Sequence, residues 1–354
     1  MTSVPTPEES STTATPGRAR LASSTVAVAG ALAVAQVLSY GVSVIAARKL
    51  GPDQFGVFAA LLGIMLIGSV LAMGLQAVAA RRLVRLDDSQ RFGASRAILA
   101  DGLVGGIAVA LATALISPLL MWLLRLDGWL PLLLTALSLV PITWAGAQYG
   151  VAQGRESYGR LAIVYLVVGI GRGAGGIAGA LISGTVLGAM AGLVLGTFLG
   201  ALVGRIAVSP LAAGSATKVQ DLFRETVHAT HALLALFVLT NIDVLLARAL
   251  LPSYQAGEYG VGAIIAKVAF WLPQFVGVVA FPRFADSRRM RATAVTLIAV
   301  AGMGALVVVA TAAMPRLVVS LVGGAAYDAL IPCAWLFAAV GATFAVARSE
   351  EQHV

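Results

Sequence analysis

The chain has one cysteine, Cys333, among 354 residues. A single thiol excludes an internal disulfide and any cysteine-based metal cluster. Three histidines leave little for metal chemistry. His228 and His231 are three apart and share a helix face, but two neutral ligands alone make a poor site. Charge is scarce too, at 11% of residues, where soluble domains carry about 25%. That shortage excludes a soluble enzyme. Nucleophile–base pairs and phosphate loops are also missing, so no catalytic chemistry and no cofactor are expected.

What is present is apolar. Hydrophobic residues make up 59% of the chain and the mean hydropathy is +0.92. Most of such a chain lies in a bilayer. The formal charge of +8 suggests nucleic acid at first sight. The basic residues, however, are scattered in short loops between apolar runs, which is the positive-inside pattern, so no nucleic-acid partner is expected.

A bilayer core of about 30 Å takes about 20 apolar residues per helix. That rule places ten spans, at 24–46, 56–79, 98–123, 129–151, 161–182, 185–208, 227–249, 259–281, 293–314 and 329–346. Most of the 24 Lys and Arg fall on one side of this arrangement, which puts both termini in the cytoplasm. Trp122 and Trp129 flank the loop around Arg125 as interface anchors. Residues 1–22 are rich in Ser, Thr and Pro and read as a disordered cytoplasmic tail rather than a signal peptide. The expected division is an N-terminal six-helix lobe over 23–208, a cytoplasmic linker over 209–226, a four-helix C-terminal lobe over 227–347 and a tail over 348–354.

An internal repeat organises the chain. Ala47-Arg48, Leu50, Pro52, Gly56 and Val57 match Ala247-Arg248, Leu250, Pro252, Gly260 and Val261. Phe55 matches Tyr259. The copies begin at spans 1–2 and 7–8. An even offset preserves orientation, so the halves are parallel repeats about an axis along the membrane normal. The cleft between two such halves is a natural solute path. The second half reads as incomplete, with four spans against six.

Glycine marks spans 5 and 6. Gly184, Gly188, Gly192, Gly196, Gly200 and Gly204 recur every fourth residue and form a stripe for close helix packing, or for sliding between lobes. Gly171 to Gly176 fits G-x-G-x-x-G, but inside a span it has no strand–helix context for a dinucleotide. Pro118, Pro141 and Pro273 stand inside spans, where proline tends to kink a helix.

Charges within apolar sequence are costly, so they are the site candidates. Asp243 and Lys267 both sit about 10–12 Å below the outer rim by helical rise. They are level and could pair, with Asn241 and Gln274 nearby. Their alternatives are a purely structural ion pair or a polar cavity wall. Arg172 is near the middle of span 5 with no carboxylate of its own lobe at that depth. It either faces a wet cavity, where guanidinium geometry suits a phosphate, or bonds a backbone carbonyl or snorkels. Gln36 and Gln76 face the same cavity or simply bridge helices.

Ala47 to Gly56 after span 1, Asn241-Ile242-Asp243 in span 7 and Glu258-Tyr259-Gly260 before span 8 resemble the multidrug/oligosaccharidyl-lipid/polysaccharide exporter superfamily. Within it the chain is most similar to the polysaccharide biosynthesis (O-antigen-type) flippases, over about 24–346. The resemblance implies an all-α polytopic membrane protein of the bacterial cytoplasmic membrane, in two lobes. Spans 1, 2, 7 and 8 line its cavity. The implied cargo is a polyprenyl-pyrophosphate-linked saccharide flipped outward, with membrane lipids and other polysaccharide-assembly membrane proteins as further partners. The residues expected to meet cargo are Arg172, Asn241, Asp243, Lys267, Gln36 and Gln76. Two rival readings follow from the same residues. One is a cation-coupled multidrug antiporter, for which only Asp243 can titrate at depth. The other is a truncated membrane scaffold without transport, favoured by the four-helix second half.

Overall fold

In the computed structural model the structure describes residues 16–213, 215–216, 221–280 and 289–351, with side chains at 26–213, 215–216, 221–270 and 298–347. The described residues are helical almost throughout. In chain order the helices are α1 (Pro16–Gly68), α2 (Val70–Val84), α3 (Asp88–Leu115), α4 (Ser117–Leu124), α5 (Leu130–Gly154), α6 (Tyr158–Ser183) and α7 (Val186–Val208). Then come α8 (Leu222–Leu239), α9 (Ile242–Leu250), α10 (Ser253–Ala280), α11 (Arg289–Ala313), α12 (Pro315–Val322) and α13 (Ala334–Glu351). Short 3-10 turns cover Ser209–Leu211 and Ala325–Cys333.

Among the described residues seven stretches are long and apolar enough to cross a bilayer, or eight if α11 and α12, bent by 97°, are one broken span. The first stretch, Val26–Val84, runs 59 residues and holds two of the expected spans. Helix α10 reaches past residue 270, where side chains are not described. The architecture agrees with about ten spans. The expected N-terminal tail lies outside the described residues up to residue 15, and α1 begins at Pro16. Pro273 and Gln274 lie outside the residues with described side chains.

Helix breaks follow local chemistry. Gly51 interrupts α1 at φ 70°, ψ 170°, a conformation open to glycine, and Pro52 disfavours a helical residue before it. The second copy of the repeat breaks at the same place. Helix α9 ends at Leu250, Leu251 is extended at φ −88°, ψ 159°, and Pro252 follows. Pro118 stands just after the break between α3 and α4. Pro141 lies inside α5 without ending it. The expected span 7 is divided at Thr240–Asn241, where Asn241 leaves helical geometry at φ −131°.

The repeat extends to tertiary structure. Each half has a long helix followed by an eight-residue one: α3 and α4 in the first, α11 and α12 in the second. One apolar core joins the halves, with Phe55, Phe58 and Leu61 against Val261, Ile265 and Tyr327. A second core, including Val78, Ile98, Val151 and Val208, fills the first half and takes in Leu222 at the start of α8. Helix α8 departs from the expected lobe boundary at residue 227. It packs on α2, with Gly74 against Thr230 and an ion pair between Arg82 and Glu225 at 2.7 Å.

The glycine stripe resolves as packing inside the first half. Gly171, Gly175 and Gly179 of α6 meet Gly196, Gly192 and Gly188 of α7 backbone to backbone. A methyl group on Gly171, Gly175, Gly179, Gly192 or Gly196 would collide with the facing main chain, and one on Gly188 with the Ser183 side chain. The other face of α6 takes α1, through Gly169 against Ala35 and Gly173 against Leu38.

Candidate functional site

Two polar clusters stand inside the apolar bundle. The first lies where α8 gives way to α9. Asn241 is buried, and its amide donates to Phe237 O at 2.9 Å, the carbonyl one turn back. That bond fixes the amide so that its Oδ1 accepts from Lys267 Nζ of α10 at 3.1 Å. Asp243 turns to another partner. Its Oδ2 accepts from the Tyr259 hydroxyl at 3.2 Å, while its Oδ1 is buried without a partner. The Tyr259 ring meets Phe337 edge-on at 5.3 Å.

The expected direct Asp243–Lys267 pair is therefore not formed. The two charges are close enough to interact, but their shared contacts run through Asn241 and Tyr259. The physical reason is the break at Asn241. It changes the helical phase, so rise along an unbroken helix no longer sets which side chains are level.

The second cluster is in the first half. Gln76 Nε2 of α2 donates to Tyr165 Oη of α6 at 2.8 Å and to Gln153 Oε1 of α5 at 3.1 Å. The Tyr165 and Tyr149 rings stack at 4.1 Å. Arg172 of α6, half-buried, stands near Tyr149. It makes no ion pair or hydrogen bond among the described residues. Gln76 thus bridges helices, as the plainer of its two readings has it. Gln36 of α1 is half-buried and likewise forms no side-chain hydrogen bond among the described residues.

The structure brings Asn241, Asp243 and Lys267 together. It brings Gln76 and Arg172 to a shared tyrosine pair. It does not join the two clusters, because α6 packs on α1, α5 and α7 whereas α9 and α10 pack on each other and on α1. His228 and His231 meet ring to ring at 5.8 Å, and among the described residues no group of three or more metal-ligating side chains is present. Tyr259, Tyr149 and Tyr165 were not among the site residues expected from the sequence. Tyr259 had a signal, since it is the repeat partner of Phe55. The other two are apolar-looking aromatics in apolar spans.

Two helical halves related by a repeat, with isolated polar side chains buried at depth, define a multi-pass membrane transporter. The chain belongs to the family described as polysaccharide biosynthesis protein, whose profile matches residues 21–288. That family falls within the multidrug/oligosaccharidyl-lipid/polysaccharide exporter superfamily. Among solved structures it resembles the inward-facing conformation of a multidrug resistance MATE family transporter of the MOP superfamily. The identity is 12% over 90% of this chain and 82% of that one, with a TM-score of 0.63. The outward-facing conformation of such a transporter matches at 13% identity over 93% and 84%, with a TM-score of 0.52. A MOP superfamily transporter from Pyrococcus furiosus matches at 12% over 92% and 84%, with a TM-score of 0.50. At such identities the likeness is one of fold. No curated protein matches the sequence.

Proposed function

We propose that the chain flips a polyprenyl-pyrophosphate-linked saccharide from the inner to the outer leaflet of a bacterial cytoplasmic membrane, by alternating access between its halves. The family match to polysaccharide biosynthesis proteins carries this reading. Arg172 supports the choice of an anionic head group. An arginine at mid-membrane with no acidic partner among the described residues is a costly feature that a transient anion would neutralise. Gln76, Gln36 and the Tyr149–Tyr165 pair lie in the same half and supply further polar contacts. Asn241, Asp243 and Lys267 form the polar wall of the opposite half.

With both termini inside, the repeat motifs stand at the outer end. There the halves are closed on one another: Gly56 touches Ala256 and Gly257, and Gly260 touches Phe55 and Ala59. The better match to an inward-facing transporter than to an outward-facing one supports the same state. Moving a negative head group outward from a negative interior gains about 2.3 kcal/mol per charge per 100 mV, so a pyrophosphate gains roughly twice that. The test is Arg172→Ala in vesicles. Flipping of the lipid-linked saccharide should fall at least tenfold, with Arg172→Lys between the two. Unchanged flipping in Arg172→Ala removes the anchor.

A cation-coupled multidrug antiporter is the second reading, and one observation favours it. Asp243 Oδ1 is buried without a partner, a place where a proton could sit. Proton-dependent drug efflux that disappears in Asp243→Asn would establish this reading over the first.

A further inference from the structure

The two arginines of the repeat reach across the molecule in the same way. Arg48 of α1 donates through Nη2 to Ser320 O at 3.1 Å and to Leu321 O, the carbonyls of the last turn of α12. Arg248 of α9 donates through Nε to Leu124 O at 3.0 Å and through Nη2 to Arg125 O at 3.1 Å, the end of α4. Its remaining terminal nitrogen is taken by Ser253 Oγ at 2.8 Å. The final carbonyls of a helix have no partner within it and carry its negative dipole end, so a guanidinium is a matched cap.

The geometry is reciprocal. Arg48 and Arg248 are repeat partners. So are α4 and α12, the eight-residue helices that close the third span of each half. Each half lends its arginine to the other half's helix, as in a two-fold interface. A third bond, from Tyr327 Oη to Ala47 O at 3.0 Å, crosses at the same end, and the Tyr327 ring stands edge-on to Phe55 at 6.4 Å. A cap within one half would survive any motion of the halves. These caps cross between halves and cannot survive a separation there.

We propose that Arg48 and Arg248 form a two-point clamp that holds this end of the molecule shut and sets the balance between the closed and open forms of that end. Alternation itself rests on the transporter reading above; the clamp is tested by a distance and not by transport. The two points are unequal. Arg248 is buried at 5% exposure, whereas Arg48 is exposed and water can replace it. Loss of Arg248 therefore weighs more.

The test places spin labels at Gly128→Cys, beside α4, and Leu317→Cys, on α12, in a Cys333→Ser background and lipid nanodiscs. A side chain at Gly128 meets open space, and Leu317 is exposed, so both labels fit. The parent should give one short distance. Arg48→Ala and Arg248→Ala should each add a longer one, with the open-to-closed ratio rising by about tenfold or more for Arg248, the yield of losing charge-assisted bonds. The double variant should be mostly open. Arg248→Lys, which cannot fork onto two carbonyls, should fall between. A folded double variant with the parent's single distance overturns the clamp. If the double variant fails to fold, Arg48→Lys and Tyr327→Phe decide, since neither opens a cavity: a shift toward the long distance supports the clamp and none refutes it. Distances that shift in a protein that never flips lipid would sink the transport reading and leave the clamp standing. Unchanged distances in a protein that does flip lipid would do the reverse.

Discussion

Lys267 Nζ sits 3.1 Å from Asn241 Oδ1, across the break that divides the seventh span into α8 and α9. A neutral amide, held by its own bond to Phe237 O, accepts from a half-buried cation. Replacing Asn241 by Leu strands that cation. The expected loss is about 2 kcal/mol of stability, the cost of a missing hydrogen bond to a charged group. Lys267→Met in the same chain should restore most of it. Unfolding in detergent of the two single variants and the double one decides. Losses that simply add would mean the pair is not coupled.

Tyr259 does for Asp243 what Asn241 does for Lys267. Tyr259→Phe keeps the ring against Phe337 and removes the hydroxyl that Asp243 Oδ2 accepts from. With Oδ1 already unpartnered, the carboxylate loses its last described donor. The cost should be about 1–3 kcal/mol. In an Asp243→Leu background the same change should cost much less, which a double-mutant cycle on the unfolding midpoint reads directly.

Gly192 and Gly30 make a matched pair of opposite sign. A methyl on Gly192 runs into the Gly175 backbone, while one on Gly30 meets nothing within 4 Å. Gly192→Ala must push α6 and α7 apart and should cost about 1–3 kcal/mol. Gly30→Ala, in a helix with room to spare, should be neutral or gain up to about 1 kcal/mol. Melting temperatures that fall equally in both would contradict the packing described.

Gly51 carries the only left-handed backbone inside α1, and its repeat counterpart Leu251 is extended. Gly51→Ala should cost about 1–3 kcal/mol in backbone strain. Leu251→Ala carries no such penalty and loses only packing. The comparison uses one assay, thermal unfolding, on both variants.

Much of the fold was legible in the sequence because bilayer thickness and apolar run length determine spans almost directly. The repeat was legible because four residues keep their spacing up to the proline and three more keep theirs beyond it, with four extra residues between them in the second copy. Its tertiary meaning was not. Arg48 and Arg248 were visible as matched residues, but they bond main-chain carbonyls, and a carbonyl has no letter in the sequence. The Asp243–Lys267 pair failed because the break at Asn241 has no proline or glycine to announce it. The attachment of α8 to α2 was hidden for a different reason. Gly74, Thr230 and the Arg82–Glu225 pair are ordinary residues until two distant segments meet. Arg172 was singled out by its cost alone, and that argument still stands on the same observation.

The most direct test of the account is transport itself. Purified protein in vesicles, with a fluorescent lipid-linked oligosaccharide on the inner-equivalent leaflet, should move the lipid across the bilayer. The rate should rise when the receiving side is made positive and fall at least tenfold in Arg172→Ala. A folded protein that leaves the lipid where it started, with or without a membrane potential, would contradict it.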